Sequence, residues 1–301
     1  KINDPEYYQF AVNKRKDICD SSASSYYYQR GIAAFNLGDF TKSLTWYNKG
    51  IEKFPDKYMA YSFRANVELA LGENRKAIAD HKISLSHPED IVKEVSQGSG
   101  WYSGIPNDSL DLFMRSFKTS AYISYSFCHF NLGETDSALR CIDSAIRYTV
   151  GNGGSEFGDA FMMKGILLLD KGMFVEAEMA FKEIAKHLPE WSLCQDYIAL
   201  ALICQGNKNS VLSRNKIEMK SLRNIADIQW ILPNKLLKGA GYAEQALSHI
   251  QKALKMDSND SFAYYLRAHI YRQMRMDYCS DFIKANQLGY PVELVYLKEC
   301  R

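Results

Sequence analysis

The chain has 301 residues, room for two ordinary domains or one elongated repeat array. It is 47% hydrophobic and 24% charged, the balance of a folded polypeptide. A formal charge of +2 from 37 basic and 35 acidic residues excludes whole-molecule steering toward nucleic acid or anionic membrane. Aromatic residues are abundant at 13%, so large rings must be buried or displayed on a binding surface. The longest apolar stretches, such as Tyr197 to Cys204, fall far short of the ~20 residues of a spanning helix.

The chain opens Lys1-Ile2-Asn3-Asp4-Pro5 without methionine, which suggests that a signal peptide or lipoprotein leader was removed, or that the end was trimmed. Residues 1–23 read as an N-terminal capping segment. From residue 24 a pattern begins: Tyr27, Arg30, Gly31, Gly38, Phe40, Ser43, Tyr47 and Gly50. It recurs 34 residues later as Tyr61, Arg64, Ala65, Gly72, Asn74, Ala77, His81 and Ser84. The apolar runs have helical period, and each glycine stands where a helix would end. Residues 24–91 therefore form two helical hairpins.

Residues 92–118 break the phase. Residues 97–107, with Trp101 and Tyr102, read as a loop by their glycine, serine and proline content. Asn107 or Asp108 is then placed to cap a helix through Leu110, Phe113, Met114 and Phe117. The pattern returns over residues 119–191, first with Tyr122, Ser126, Gly133, Ala138 and Ala145. The next copy has Phe161, Lys164, Gly165, Gly172, Phe174, Ala177, Phe181 and Pro189. Residues 192–260 read as degenerate copies. A first helix from Leu193 ends at Gly206, its partner is expected near Ser210 to Lys220, and Pro233 would end or kink the helix after that. Residues 261–301 hold a last hairpin about two residues short, with Arg275 in place of the glycine, then a short capping helix.

A small residue, a glycine seven later, a small residue five after that and another seven further on resemble the tetratricopeptide repeat, the ending being similar to that of bacterial members. The resemblance spans roughly residues 24–290 and implies an all-α fold, a right-handed superhelical solenoid of antiparallel helix pairs. Such units bury their apolar faces only by stacking, which leaves a concave groove lined by the first helix of each pair. The groove positions implied are Tyr28, Phe63, Asn66, Phe127, Phe130, Met162, Met163, Tyr197 and Tyr265, with Ile32, Phe35, Met59, Ile123, Ile166, Leu200, His269 and Arg272 beside them. An apolar, methionine-bearing row suits a peptide with hydrophobic anchors. It does not suit a chaperone C-terminal tail, whose relatives clamp a carboxylate with Lys and Asn; here only Asn66 occupies such a place. Another part of the chain could instead cover the groove.

No catalytic constellation or cofactor motif stands out, and the six histidines lack metal-ligand spacing. His81 and His129 fall at helix-packing positions. Arg64 is expected to pair with Asp80 across its hairpin. Most of the seven cysteines read as small buried hydrophobes, and Cys279 with Cys300 is the pair placed to staple the last helix to its neighbour. The reading is a non-enzymatic scaffold or adaptor that binds a protein or peptide, without nucleic acid or a membrane span. The alternative is a cell-envelope protein that binds a small molecule or glycan on Trp101 and Tyr102. The start and the ending favour the envelope or periplasm, whereas unpaired cysteines favour the cytoplasm.

Overall fold

A computed structural model describes residues 24–96, 109–149, 155–206, 212–215, 228–232 and 240–301. The expected N-terminal cap, the cap residues Asn107 and Asp108, and Trp101 and Tyr102 lie outside the described residues. The chain divides into two units, one over residues 24–149 and one from residue 155 onward.

In the first unit α1 (Ser24–Asn36) pairs with α2 (Phe40–Lys53) and α3 (Met59–Ala70) with α4 (Asn74–Ser86). A short α5 (Pro88–Ser96) precedes α6 (Leu110–Asn131), which pairs with α7 (Thr135–Tyr148). α6 fuses the expected insert helix to the first helix of the third copy. α5 starts on Pro88, whose fixed φ suits a first turn, and places Glu89 and Asp90 at the positive end of the helix. In the second unit α8 (Ser155–Asp170) pairs with α9 (Phe174–His187) and α10 (Ser192–Gln205) with α11 (Ala240–Met256). α12 (Ser261–Gln273) then pairs with α13 (Cys279–Gln287), and α14 (Leu294–Glu299) follows. The fold is all-α, built of tetratricopeptide-type hairpins.

One position explains how closely the two helices of a hairpin approach. A Cβ on Gly31 would stand 2.7 Å from the Tyr47 ring, and one on Gly165 would overlap the Phe181 ring. Where the first helix carries Ala65 or Ser126, the residue sixteen later is the smaller His81 or Ile142. Small and large thus trade across the crossing so that the volume stays filled. A buried hydroxyl closes the same crossing: Ser43 Oγ donates to the Gly31 carbonyl at 2.7 Å, and in the third hairpin Ser126 Oγ donates to the Ala138 carbonyl at 3.1 Å.

Between paired helices Gly38, Gly72, Gly133 and Gly172 take φ of 75–79°, the left-handed conformation that a side chain resists. Arg275 fills the same place in the last hairpin at φ 55°. The shortening of that hairpin shows in its ion pair. Arg64 donates to Asp80 at 2.6 and 2.8 Å, sixteen residues on, while Arg267 donates to Asp281 at 2.7 Å twice, fourteen on.

The fifth hairpin corrects the sequence reading. Ser213 and Arg214, inside the helix expected over Ser210 to Lys220, form strand β1, which pairs antiparallel with β2 (Trp230–Ile231). The partner of α10 is α11, so residues 207–239 are an insertion within one hairpin. Gly206, at the end of α10, is right-handed at φ −61°.

Candidate functional site

Each unit packs one of the two insertions against its first helices. In the first unit, Ile91 and Val95 of α5 and Met114 from the leading turns of α6 form one buried cluster with Met59, and Phe63 packs against it. Phe63 also stacks on Tyr47 at 6.1 Å, joining this cluster to that of Tyr28, Tyr47, Ile51 and Val67. Tyr28, Phe127 and Phe130 are buried, while Phe63 and Asn66 keep partial exposure. Ile32 and Phe35, beside the expected groove positions, are also partly exposed.

In the second unit an extended stretch, residues 228–232, lies on the first-helix side. Its side chains alternate: Ile228, Trp230 and Leu232 are buried, Gln229 is half-buried and Ile231 is exposed. The Trp230 indole, 1% exposed, donates Nε1–H to the Tyr197 hydroxyl at 3.2 Å. The Tyr290 hydroxyl accepts the Trp230 N–H and donates to the Trp230 carbonyl, each at 3.0 Å. One tyrosine thereby satisfies both main-chain groups of the anchor residue, as a neighbouring strand would. Tyr197, Phe262, Tyr265 and Tyr290 form the aromatic wall of this seat, with Phe262 stacked on Tyr290 at 5.4 Å. Burial pushes the Tyr265 and Tyr290 phenols up from their ordinary range.

Of the groove positions expected here, Tyr197 and Tyr265 come together around the seat. Met162 and Met163 are buried without exposure. Trp230 and Tyr290 had not been singled out. The signal for Trp230 was the period-two alternation of Ile228, Trp230 and Leu232 just before Pro233; Tyr290 carried none.

Beside the seat opens a cleft of about 310 Å³, lined by Ser192, Leu193, Tyr197, Ile228, Asp257, Asn259, Asp260, Ser261, Phe262 and Tyr290. Among the described residues, no group of three or more His, Cys, Asp and Glu side chains is arranged to hold a metal ion. His81 is fully buried with no hydrogen-bond partner on either ring nitrogen, and burial lowers its pKa to about 3. His129 pairs with Glu134 at 2.6 Å. Among the described residues no helix is long and apolar enough to cross a membrane.

Residues 11–81 match the family model described as "Tetratricopeptide repeat". Over those residues the chain carries tetratricopeptide repeats. The hairpins beyond residue 81 belong to the same fold by likeness to solved structures. A tetratricopeptide repeat protein from Parabacteroides merdae is 15% identical, with 98% of this chain and 89% of that chain covered and a TM-score of 0.51. The C-terminal part of a TPR repeat-containing protein from Cytophaga hutchinsonii is 12% identical, with 99% and 93% covered and a TM-score of 0.52. The structure titled APC/C hetero-tetramer Cut9-Hcn1 is 10% identical, with 98% and 44% covered and a TM-score of 0.58. At such identities these likenesses speak for the fold alone. No curated protein matches the chain.

Proposed function

We propose that this tetratricopeptide protein is a non-enzymatic scaffold that holds an extended segment of a partner protein against the first helices of its repeats. The observation that carries this is the seat of residues 228–232. A face that anchors one tryptophan in an aromatic pocket and satisfies both its backbone groups is built to grip extended chain, which is how tetratricopeptide faces would read a peptide. In the first unit Asn66 and Phe63 offer the corresponding accessible contacts. Selection of displayed random peptides on the full chain tests the reading. Enriched sequences should share an aromatic or aliphatic anchor and lose capture on Asn66→Lys or Phe63→Ala while the helical circular dichroism persists. If no sequence is enriched over a heat-denatured control, the scaffold reading falls.

We further place the protein in an oxidising compartment such as the cell envelope. The support is the Cys279–Cys300 disulfide, together with the burial of Cys128, Cys141, Cys194 and Cys204, which keeps those thiols from pairing elsewhere. Thiol counting under denaturing, non-reducing conditions on the native protein should find the last pair bridged; seven free thiols would remove this placement.

A further inference from the structure

Residues 228–232 are held in the second unit as a bound peptide would be. Their two edges are served by different partners. On one edge Asn215, next to β1, donates its N–H to the Gln229 carbonyl at 3.0 Å and accepts the Gln229 N–H on Oδ1 at 2.9 Å. On the other edge side chains take the place of a strand. The Tyr290 hydroxyl takes both main-chain groups of Trp230, and the Tyr265 hydroxyl, which donates to Glu293 at 3.1 Å, bonds the Leu232 main chain. Two tyrosines thus hold the backbone at alternate residues, and such contacts ask only for extended chain. Sequence enters through the buried side chains of Ile228, Trp230 and Leu232, each 3% exposed or less. The fill is complete at Trp230 and incomplete at Ile228. Ile228 forms one wall of the cleft of about 310 Å³, with Leu193, Ser192 and Ser261 among the others, a volume at the lower end of the ~300–1,000 Å³ of ligand pockets. The groove therefore continues past the segment that occupies it.

We propose that residues 228–232 stand in for the partner, which displaces them with an extended segment carrying a tryptophan and, two residues before it, an aromatic ring in place of Ile228. This deepens the scaffold reading and rests on it. Competition is the reason for the second ring. A segment tethered within the same chain is present at an effective concentration on the order of millimolar, so a free peptide with the same contacts displaces it only near that concentration. A partner that acts at lower concentration must make a contact that the tethered segment lacks, and the cleft beside Ile228 offers one. A residue two places before the anchor lies on the same side of an extended chain and reaches that cleft. Until such a partner arrives, residues 228–232 close the seat to weaker ligands.

The test uses the full chain and two fluorescein-labelled peptides read by polarisation, Ile-Gln-Trp-Ile-Leu, which is the chain's own sequence, and Tyr-Gln-Trp-Ile-Leu. The tyrosine peptide should bind the unaltered chain at least about tenfold more tightly, which is what roughly 60 Å² of additional buried apolar surface is worth. Its binding should speed amide exchange at Trp230 and Leu232, the mark of displacement. Leu193→Trp, which fills the cleft from α10, should bring the two peptides to equal affinity. No binding of the tyrosine peptide, equal affinity of the two for the unaltered chain, or binding that leaves exchange at Trp230 unchanged overturns the proposal. So does a tyrosine preference that survives Leu193→Trp in a protein with an unchanged melting temperature. Displayed peptides that are enriched and depend on Asn66 or Phe63, with exchange at Trp230 unchanged, would keep the scaffold and remove only this site.

Discussion

Gly165 and Phe181 show what a single residue does in this molecule. The ring occupies the volume that a Cβ would take, so Gly165→Ala should lower stability by about 1–3 kcal/mol, with thermal melting as the measure. Phe181→Leu added to it should recover part of the loss, because the hairpin with Ser126 runs on an aliphatic partner, Ile142. Arg275 is the converse case. A side chain held at φ 55° bears strain that glycine lacks, and Arg275→Gly should raise stability by about 1 kcal/mol. His81 sets a pH dependence. Its folded pKa of about 3 lies below the ordinary imidazole value of about 6.5, so its contribution is complete above that value and is lost as pH falls toward 3. His81→Leu should therefore raise the melting temperature more at pH 5 than at pH 8; an equal shift at both would show that the imidazole is not held neutral.

At the scale of elements, the hairpins were legible because one crossing and one turn repeat with fixed spacing: Gly31 and Gly38, Ala65 and Gly72, Gly165 and Gly172. The insertions were not, since a segment that packs on a preformed face needs little pattern of its own. Ser213 and Arg214 look helical only by position in the array, and their pairing with Trp230 and Ile231 is set by tertiary context. Groove assignment failed to separate display from burial for the same reason: Phe127 and Met162 occupy first-helix positions, yet packing within their own units buries them. The C-terminal end gives a prediction of its own. The Cys279–Cys300 bridge closes a loop of 21 residues from α13 to the end of α14, beside the Arg272 pair with Glu299 at 3.2 Å. Reduction, or Cys300→Ser, should cost about 3 kcal/mol in the second unit and release α14 first, read by faster amide exchange at Tyr296 than in α10.

For the whole molecule, the repeats build two faces of first helices and each is met by an insertion of the same chain, α5 with the start of α6 in one unit and residues 228–232 in the other. The interruptions of the pattern thus supply the segments that pack on the first helices. The central claim, that a repeat face grips extended chain through an aromatic anchor, is tested most directly in trans. Trp230→Ala should cost about 3–5 kcal/mol in the second unit and vacate the seat without unfolding the helices. Calorimetric titration of that variant with a synthetic peptide of residues 226–234 should give saturable one-to-one binding and restore the melting temperature, while the same peptide with alanine for Trp230 should not bind. A folded Trp230→Ala protein that ignores the peptide would contradict the account.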